Sequence, residues 1–259
     1  MQVVLIGAGN IATVIGKILF QKGFSIRQVY SRNIDHAKEL AQLLNADAIN
    51  NLKFLQSNAN FYIVAVPDNS LTTVLQQIHL EDEIVIHTAG SVSKNTLQVL
   101  SSRYGVLWPM KMIRKDMQTL EPVRIFIDGN SEETISEIKK LALALSSSVS
   151  VANDETRLKL HLLATITSNF SNHLYHLAAE YCEKEGIDFS LVYPIIQETA
   201  IQIQLNNPSK LQAGPAFRAD TETMQKHLSL LNDNKQLLKI YEALSESIHQ
   251  TFFHPRDSL

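Results

Sequence analysis

An apolar run that stops at glycine and resumes as a helix leaves few folds open, and this chain begins with one. Val3-Val4-Leu5-Ile6 runs into Gly7-Ala8-Gly9-Asn10-Ile11-Ala12, and apolar spacing continues through Val14, Ile15, Ile18 and Leu19. The order is strand, tight turn, helix. Gly7 permits the turn, Gly9 lets backbone approach a pyrophosphate, and Ala12 in the third slot allows close packing of helix on strand. The N–H groups at the helix start have no partner within the helix and are suited to phosphate oxygens. A G-x-G-x-x-A pattern is weak by itself. Here it follows an apolar strand and opens an apolar-periodic helix, the context a dinucleotide site requires.

Strands and helices alternate onward from that turn, which predicts a doubly wound, mostly parallel sheet. Strands are expected at Ser25–Tyr30, Phe61–Val66, Glu83–His87, Val106–Trp108, Val123–Ile127 and Val149–Val151, with helices at Asp35–Leu44, Ser70–Ile78 and Glu132–Leu145. The pattern changes near Ala152-Asn153-Asp154. Residues 1–152 are therefore expected to form the nucleotide domain and 153–259 an all-helical substrate and dimerisation domain. Lys and Arg total 23 against 26 Asp and Glu, so no basic surface suggests nucleic acid or membrane. Cys182 is the one cysteine, which excludes a disulfide framework or a cysteine metal site within the chain. No apolar run approaches the roughly 18 residues of a membrane span, and no leader pattern opens the chain. A soluble, cytoplasmic protein with no metal is expected.

Cofactor type is read at the end of the second strand, where NAD enzymes place a ribose-binding acid. Ser31-Arg32-Asn33 stands there instead. A guanidinium can grip a 2′-phosphate with two hydrogen bonds, whereas a carboxylate would repel it, so NADP(H) is favoured. Asp35 is close enough to contest that reading. Two further loops follow strands on the ligand side, Val66-Pro67-Asp68-Asn69 and His87-Thr88-Ala89-Gly90-Ser91. Val66, Pro67, Thr88, Ala89 and Gly90 are candidate cofactor contacts, and Asp68 either joins them or caps the next helix. His87 is either a proton donor near the nicotinamide or a structural histidine with satisfied nitrogens.

Long helical patterns fill the second half. Leu158 to Glu183 carries a broad apolar surface, which predicts a largely buried helix. Thr165, Asn169, Asn172, His173 and His176 recur on one face of it. That stripe either lines a pocket or forms a polar seam at an interface. A second helix is expected from Ser190, with Pro194 in its first turns, to Asn206-Asn207-Pro208, and a last one from Lys235 to Phe252. Between them, Asp220 is suited to cap a helix from Thr221 to Leu231. Arg218 either holds an anion at that helix start or pairs with Asp220.

Several of these blocks together carry a family resemblance. Gly7 to Ala12, His87 to Gly90, Ser168-Asn169-Phe170-Ser171-Asn172-His173-Leu174-Tyr175 and Gly214-Pro215-Ala216-Phe217-Arg218-Ala219-Asp220, with Thr223 and His227-Leu228, resemble a family of NADP-dependent oxidoreductases. Its plan is similar to pyrroline-5-carboxylate reductase, ketopantoate reductase and the 6-phosphogluconate dehydrogenase group. The resemblance implies NADP, a cleft between a Rossmann domain and a helical domain, and a homodimer through the latter. It implies no particular substrate. Trp108-Pro109-Met110-Lys111 departs from the family, which has a His-Pro or Tyr-Pro start and a glutamine there. Related hydroxyacid dehydrogenases place a catalytic lysine four residues before an asparagine; aligned on Asn169, that position holds Thr165, which disfavours lysine-dependent chemistry. The expected function is reduction of a C=O or C=N bond in a small anionic substrate, with Asn169 and Asn172 orienting it and Arg218 holding its anion. A silent NADP(H)-binding sensor and a deazaflavin-linked oxidoreductase are the alternatives.

Overall fold

The structure is a computed structural model that describes residues 1–253. It contains two compact units, Met1–Asn169 and Phe170–Leu259. The first unit is organised by one eight-stranded sheet: β1 (Gln2–Ile6), β2 (Ser25–Tyr30), β3 (Asp47–Ile49), β4 (Phe61–Val64), β5 (Ile84–His87), β6 (Arg103–Pro109), β7 (Ile125–Gly129) and β8 (Val149–Val151). Their order is β3-β2-β1-β4-β5-β6-β7-β8. Every neighbouring pair is parallel except β6 and β7, where Trp108 stands opposite Phe126. Consequently β1, β2, β4, β5 and β6 all end on one edge, the edge where such sheets bind ligands.

Both faces of this sheet are covered, so its strands read as continuous apolar runs rather than alternating ones. Val3 and Leu5 of β1 pack with α1 (Asn10–Gln21), α2 (Ile34–Leu44) and α4 (Glu132–Leu145). Val4 and Ile6 point the opposite way, toward Leu71, Val74 and Leu75 of α3 (Asp68–Leu75). Period-two geometry thus divides one apolar run between two cores. The strand β3 is absent from the sequence reading. It has only three residues, and Asp47 opens it, so neither an apolar run nor alternation marks it.

The helical pattern after Asn153 begins as α5 (Asp154–Ala164), passes through a π-helical turn over Thr165–Phe170, and continues as α6 (Ser171–Glu185). The wider turn interrupts the α-helical spacing that places Thr165 to His176 on one face. The expected burial of this helix is corrected by the structure: Leu158, Leu162, Leu163, Ile166 and Phe170 are all exposed. Inward contacts of α5 come instead from Arg157, which is fully buried, and from Leu160 against the cluster of Val106, Trp108, Phe126 and Ala152. Within the described residues, nothing covers the leucine face.

The second unit comprises α6, α7 (Tyr193–Leu205), α8 (Thr221–Leu230) and α9 (Lys235–Phe253). Asp220 caps α8, accepting from the backbone N–H of Thr223 at 3.0 Å and from its hydroxyl at 2.8 Å. His227 of α8 meets the Tyr241 hydroxyl of α9 at 2.9 Å through Nδ1. Phe217 lies edge-on to Phe252, with centroids 5.2 Å apart, and fixes the turn before α8 against α9. Among the described residues no helix is long and apolar enough to cross a membrane.

Candidate functional site

Glycine at position 7 is demanded by the backbone, while glycine at position 9 is demanded by nothing inside the protein. Gly7 has φ of +128°, and a Cβ there would lie 2.2 Å from the Ala65 carbonyl oxygen. A Cβ on Gly9 would meet no protein atom within 4 Å. The space above Gly9 is therefore open on the ligand side, which fits the close approach of a pyrophosphate. Gly9 caps α1 without a side-chain hydrogen bond, and no acidic residue stands in the first turn. By contrast, Asn33 caps α2, Ser131 caps α4 and Asn153 caps α5. The first-turn amides at Asn10, Ile11 and Ala12 are left for an anion.

Beside this turn lies a cleft of about 270 Å³, lined among others by Gly7, Ala8, Gly9, Ser31, Arg32, Val66 and Pro67. Those seven residues were all expected from the sequence. His36 and Lys115 also line it, and no carboxylate does. Asp35 is not in the lining; its backbone N–H donates to Asn33 Oδ1 at 2.9 Å as part of the α2 cap. The titratable side chains of the wall other than Tyr30 are thus all basic, which suits a phosphomonoester on the ribose better than the bare hydroxyl pair.

Lys115 arrives from far along the chain, on the loop between β6 and β7. This loop is strapped across α1: the Asn10 side-chain amide donates to the Ile113 carbonyl at 3.0 Å, and Lys17 Nζ donates to the Lys115 carbonyl at 3.4 Å. Lys115 Nζ lies 4.0 Å from Glu39 Oε2. Nothing local in the sequence signals this residue, because its place depends on a tertiary crossing of about a hundred positions.

The loop after β5 is rigidly held. His87 is fully buried; its Nδ1 accepts from the Ala89 N–H at 3.2 Å, and its Nε2 faces the Ser93 carbonyl at 3.3 Å. That network assigns the proton to Nε2. Burial pushes the His87 pKa down to about 4, and the Arg157 guanidinium adds to the effect; the Ser93 carbonyl, Asp154 and Asp68 oppose it. Such an imidazole is neutral at physiological pH and has both nitrogens engaged, so it holds the loop rather than moving protons. Asp68, the first residue of α3, accepts from the Ser91 hydroxyl at 2.6 Å. Asp154 accepts from the Ser93 hydroxyl, from the Lys94 N–H at 3.2 Å and from Arg157 at 2.7 Å. Burial alone would raise its carboxyl, but hydrogen bonds from Ser93, Arg157 and Lys94 outweigh it and hold the group below the usual range. Arg157 also donates to the Val92 carbonyl.

A second cleft, of about 310 Å³, opens where β6 ends. It is lined by Trp108, Met110, Lys111, Met112, His161, Ala164, Thr165, Thr167, Ser168 and Asn169. Thr88 is buried, with its N–H on the Val64 carbonyl. The room left by the missing side chain of Gly90 is filled by His161 and Trp108, whose atoms would lie 2.5 Å and 2.8 Å from a Cβ there. Gly90 therefore presses the loop after β5 against this cleft. Of the four catalytic candidates, Asn169 lines it, His87 is buried, and Asn172 and Arg218 belong to the second unit. His161, Lys111 and Trp108 went unrecognised as site residues in the sequence, since each stands in a segment whose pattern is explained by core packing or by a loop.

A family model described as "NADP oxidoreductase coenzyme F420-dependent" matches residues 2–91, and one described as a domain of unknown function (DUF2520) matches residues 123–248. The chain is similar to the crystal structure of a "putative NADP oxidoreductase" from Bacteroides fragilis, with 39% identity, coverage of 96% of this chain and 98% of that one, and a TM-score of 0.91. It is also similar to an imine reductase from Myxococcus stipitatus in complex with NADP+ (13% identity, 96% and 93% coverage, TM-score 0.71). A 1-pyrroline-5-carboxylate reductase from Streptococcus pyogenes gives 17% identity, 96% and 98% coverage and a TM-score of 0.63. These last two likenesses establish the fold alone. No curated protein matches the sequence.

Proposed function

The chain belongs to a family of NADP oxidoreductases, and from that membership we propose that it reduces a C=O or C=N bond in a small anionic substrate. NADPH supplies hydride when bound. The residues of this chain bind and orient it: the first-turn amides of α1 take the pyrophosphate, Arg32 takes the 2′-phosphate with help from His36 and Lys115, and the anchored loop after β5 sets the floor of the nicotinamide end. Asn169 orients the polar end of the substrate. Asn172 and Arg218 are assigned to the substrate side on the strength of the family blocks in which they stand.

One observation carries this reading: the cleft beside the glycine turn has three basic side chains in its lining and no carboxylate. A panel of 2-oxo acids, cyclic imines and aldehydes, scored by NADPH oxidation, tests it. Turnover with at least one carboxylate-bearing member is expected, with NADPH used in preference to NADH. Tight NADPH binding without oxidation by any member would instead favour a nucleotide sensor.

We further propose that the protein works as a homodimer. Exposed large apolar side chains within each unit support this, Leu191, Ile195, Ile203 and Leu205 in the second and Leu158 and Leu162 on α5 in the first, since groups of exposed apolar side chains mark contact surfaces.

A further inference from the structure

The reduction needs a proton as well as a hydride, and the residue that provides it is not the histidine whose position after β5 is most suggestive. His87 is closed in on both nitrogens. His161 differs in each respect that matters. It lines the second cleft, it is partly exposed, and among the described residues no hydrogen bond is made by either of its ring nitrogens. Trp108 holds its ring at the cleft wall, with centroids 5.8 Å apart and planes inclined at 50°. The Gly90 backbone lies against both rings.

The remaining lining limits what can enter. Trp108, Met110, Met112 and Ala164 form an apolar body, and Thr165, Thr167, Ser168 and Asn169 form a polar rim carried by the π-helical turn. Lys111 is the one permanent charge in the lining, and among the described residues it makes no ion pair. No acidic side chain faces the cleft. A volume of about 310 Å³ suits a molecule of metabolite size. The complement of such a space is a small monocarboxylate with an apolar body. Placement agrees: the cleft stands at the carboxyl end of β6, parallel to and adjacent to β5, on the edge where β1 meets the glycine turn.

Resting on the reductase reading, the geometry points to this cleft as the site for a small 2-oxo or 2-imino carboxylate, with Lys111 anchoring the carboxylate and His161 acting as proton donor. In the reduction, hydride and its electron pair form the new C–H bond at the C=O or C=N carbon. The π pair of that bond takes the N–H proton of the His161 imidazolium onto oxygen or nitrogen. The neutral imidazole then regains a proton from solvent through the open cleft.

Trp108 is the single tryptophan of the chain, so its emission reports this cleft directly. With protein saturated by NADP+, titration with 2-oxopentanoate should give a saturable change in that emission. Lys111→Gln should weaken it about tenfold or more, and Lys111→Arg should restore most of it. No saturable change, or equal affinity in Lys111→Gln, overturns the carboxylate site. For His161, NADPH turnover is compared on 2-oxopentanoate, which must gain a proton, and on 1-methyl-pyrrolinium-2-carboxylate, which as a permanent iminium needs none. His161→Gln should shift the ratio of the two rates by about 100-fold or more against the oxo acid. An equal loss on both substrates makes His161 structural and overturns its assignment. Turnover of neither by the wild type overturns the assignment of His161, while the emission titration still decides the site and the wider substrate panel decides the reductase reading.

Discussion

His87 links the stability of the first unit to pH in a way that can be worked out from its surroundings. Its pKa falls from the ordinary 6.5 to about 4, because burial and the neighbouring Arg157 guanidinium penalise the charged ring. A histidine held neutral by the fold contributes its full stabilisation above the unfolded pKa. That contribution is withdrawn as pH falls, since the unfolded chain takes up a proton that the folded one refuses. The whole displacement corresponds to roughly 3 kcal/mol, of which about 2 kcal/mol should disappear between pH 7 and pH 5. Urea unfolding followed by Trp108 emission reports the first unit, where the tryptophan lies. The wild type should lose about 2 kcal/mol more than His87→Asn over that range, the difference isolating the histidine from carboxylates common to both proteins. Parallel curves for the two proteins, or an NMR titration placing the His87 ring near 6.5, would refute the reasoning.

The two glycines of the turn should separate folding from binding. Gly7→Ala forces a side chain at φ of +128° against the Ala65 carbonyl. It should cost about 1–3 kcal/mol of stability or more, read as a lower unfolding midpoint. Gly9→Ala meets nothing in the protein and should unfold like the wild type, yet bind NADPH at least about tenfold more weakly because its methyl occupies the pyrophosphate space. Unchanged affinity in Gly9→Ala would remove the turn from the cofactor site. Lys115→Gln should weaken NADPH by up to about fivefold and leave NADH unaffected, the size expected for a half-exposed cation near a phosphate; calorimetric titration with both nucleotides would show it.

What the sequence revealed and what it hid divide along physical lines. The order of strands and helices was legible because each apolar run is short and bounded, so that β2, α4 and β8 fall at the residues expected. The Asp220 cap was legible because capping is local, acting over three residues. Lys115 was hidden because its place in the cleft beside the glycine turn depends on a loop folding back over α1. His161 was hidden for another reason: at four residues before Thr165 it reads as one more position on an amphipathic helix, and only the contact with Gly90 and Trp108 gives it a setting. The burial expected of that helix failed because apolar periodicity states that a face will be covered without stating by what. Here α5 buries Arg157 and leaves Leu158, Leu162 and Leu163 outward.

On the proposed reading, the basic side chains beside the glycine turn select the phosphorylated cofactor. Dissociation constants of NADPH and NADH, measured by calorimetry for the wild type and for Arg32→Asp, test it most directly. The account predicts NADPH bound tighter than NADH by the wild type, and a loss on the order of 10- to 100-fold for NADPH in the variant with a much smaller change for NADH. Equal affinities in the wild type, or an equal loss of both nucleotides in the variant, would contradict it.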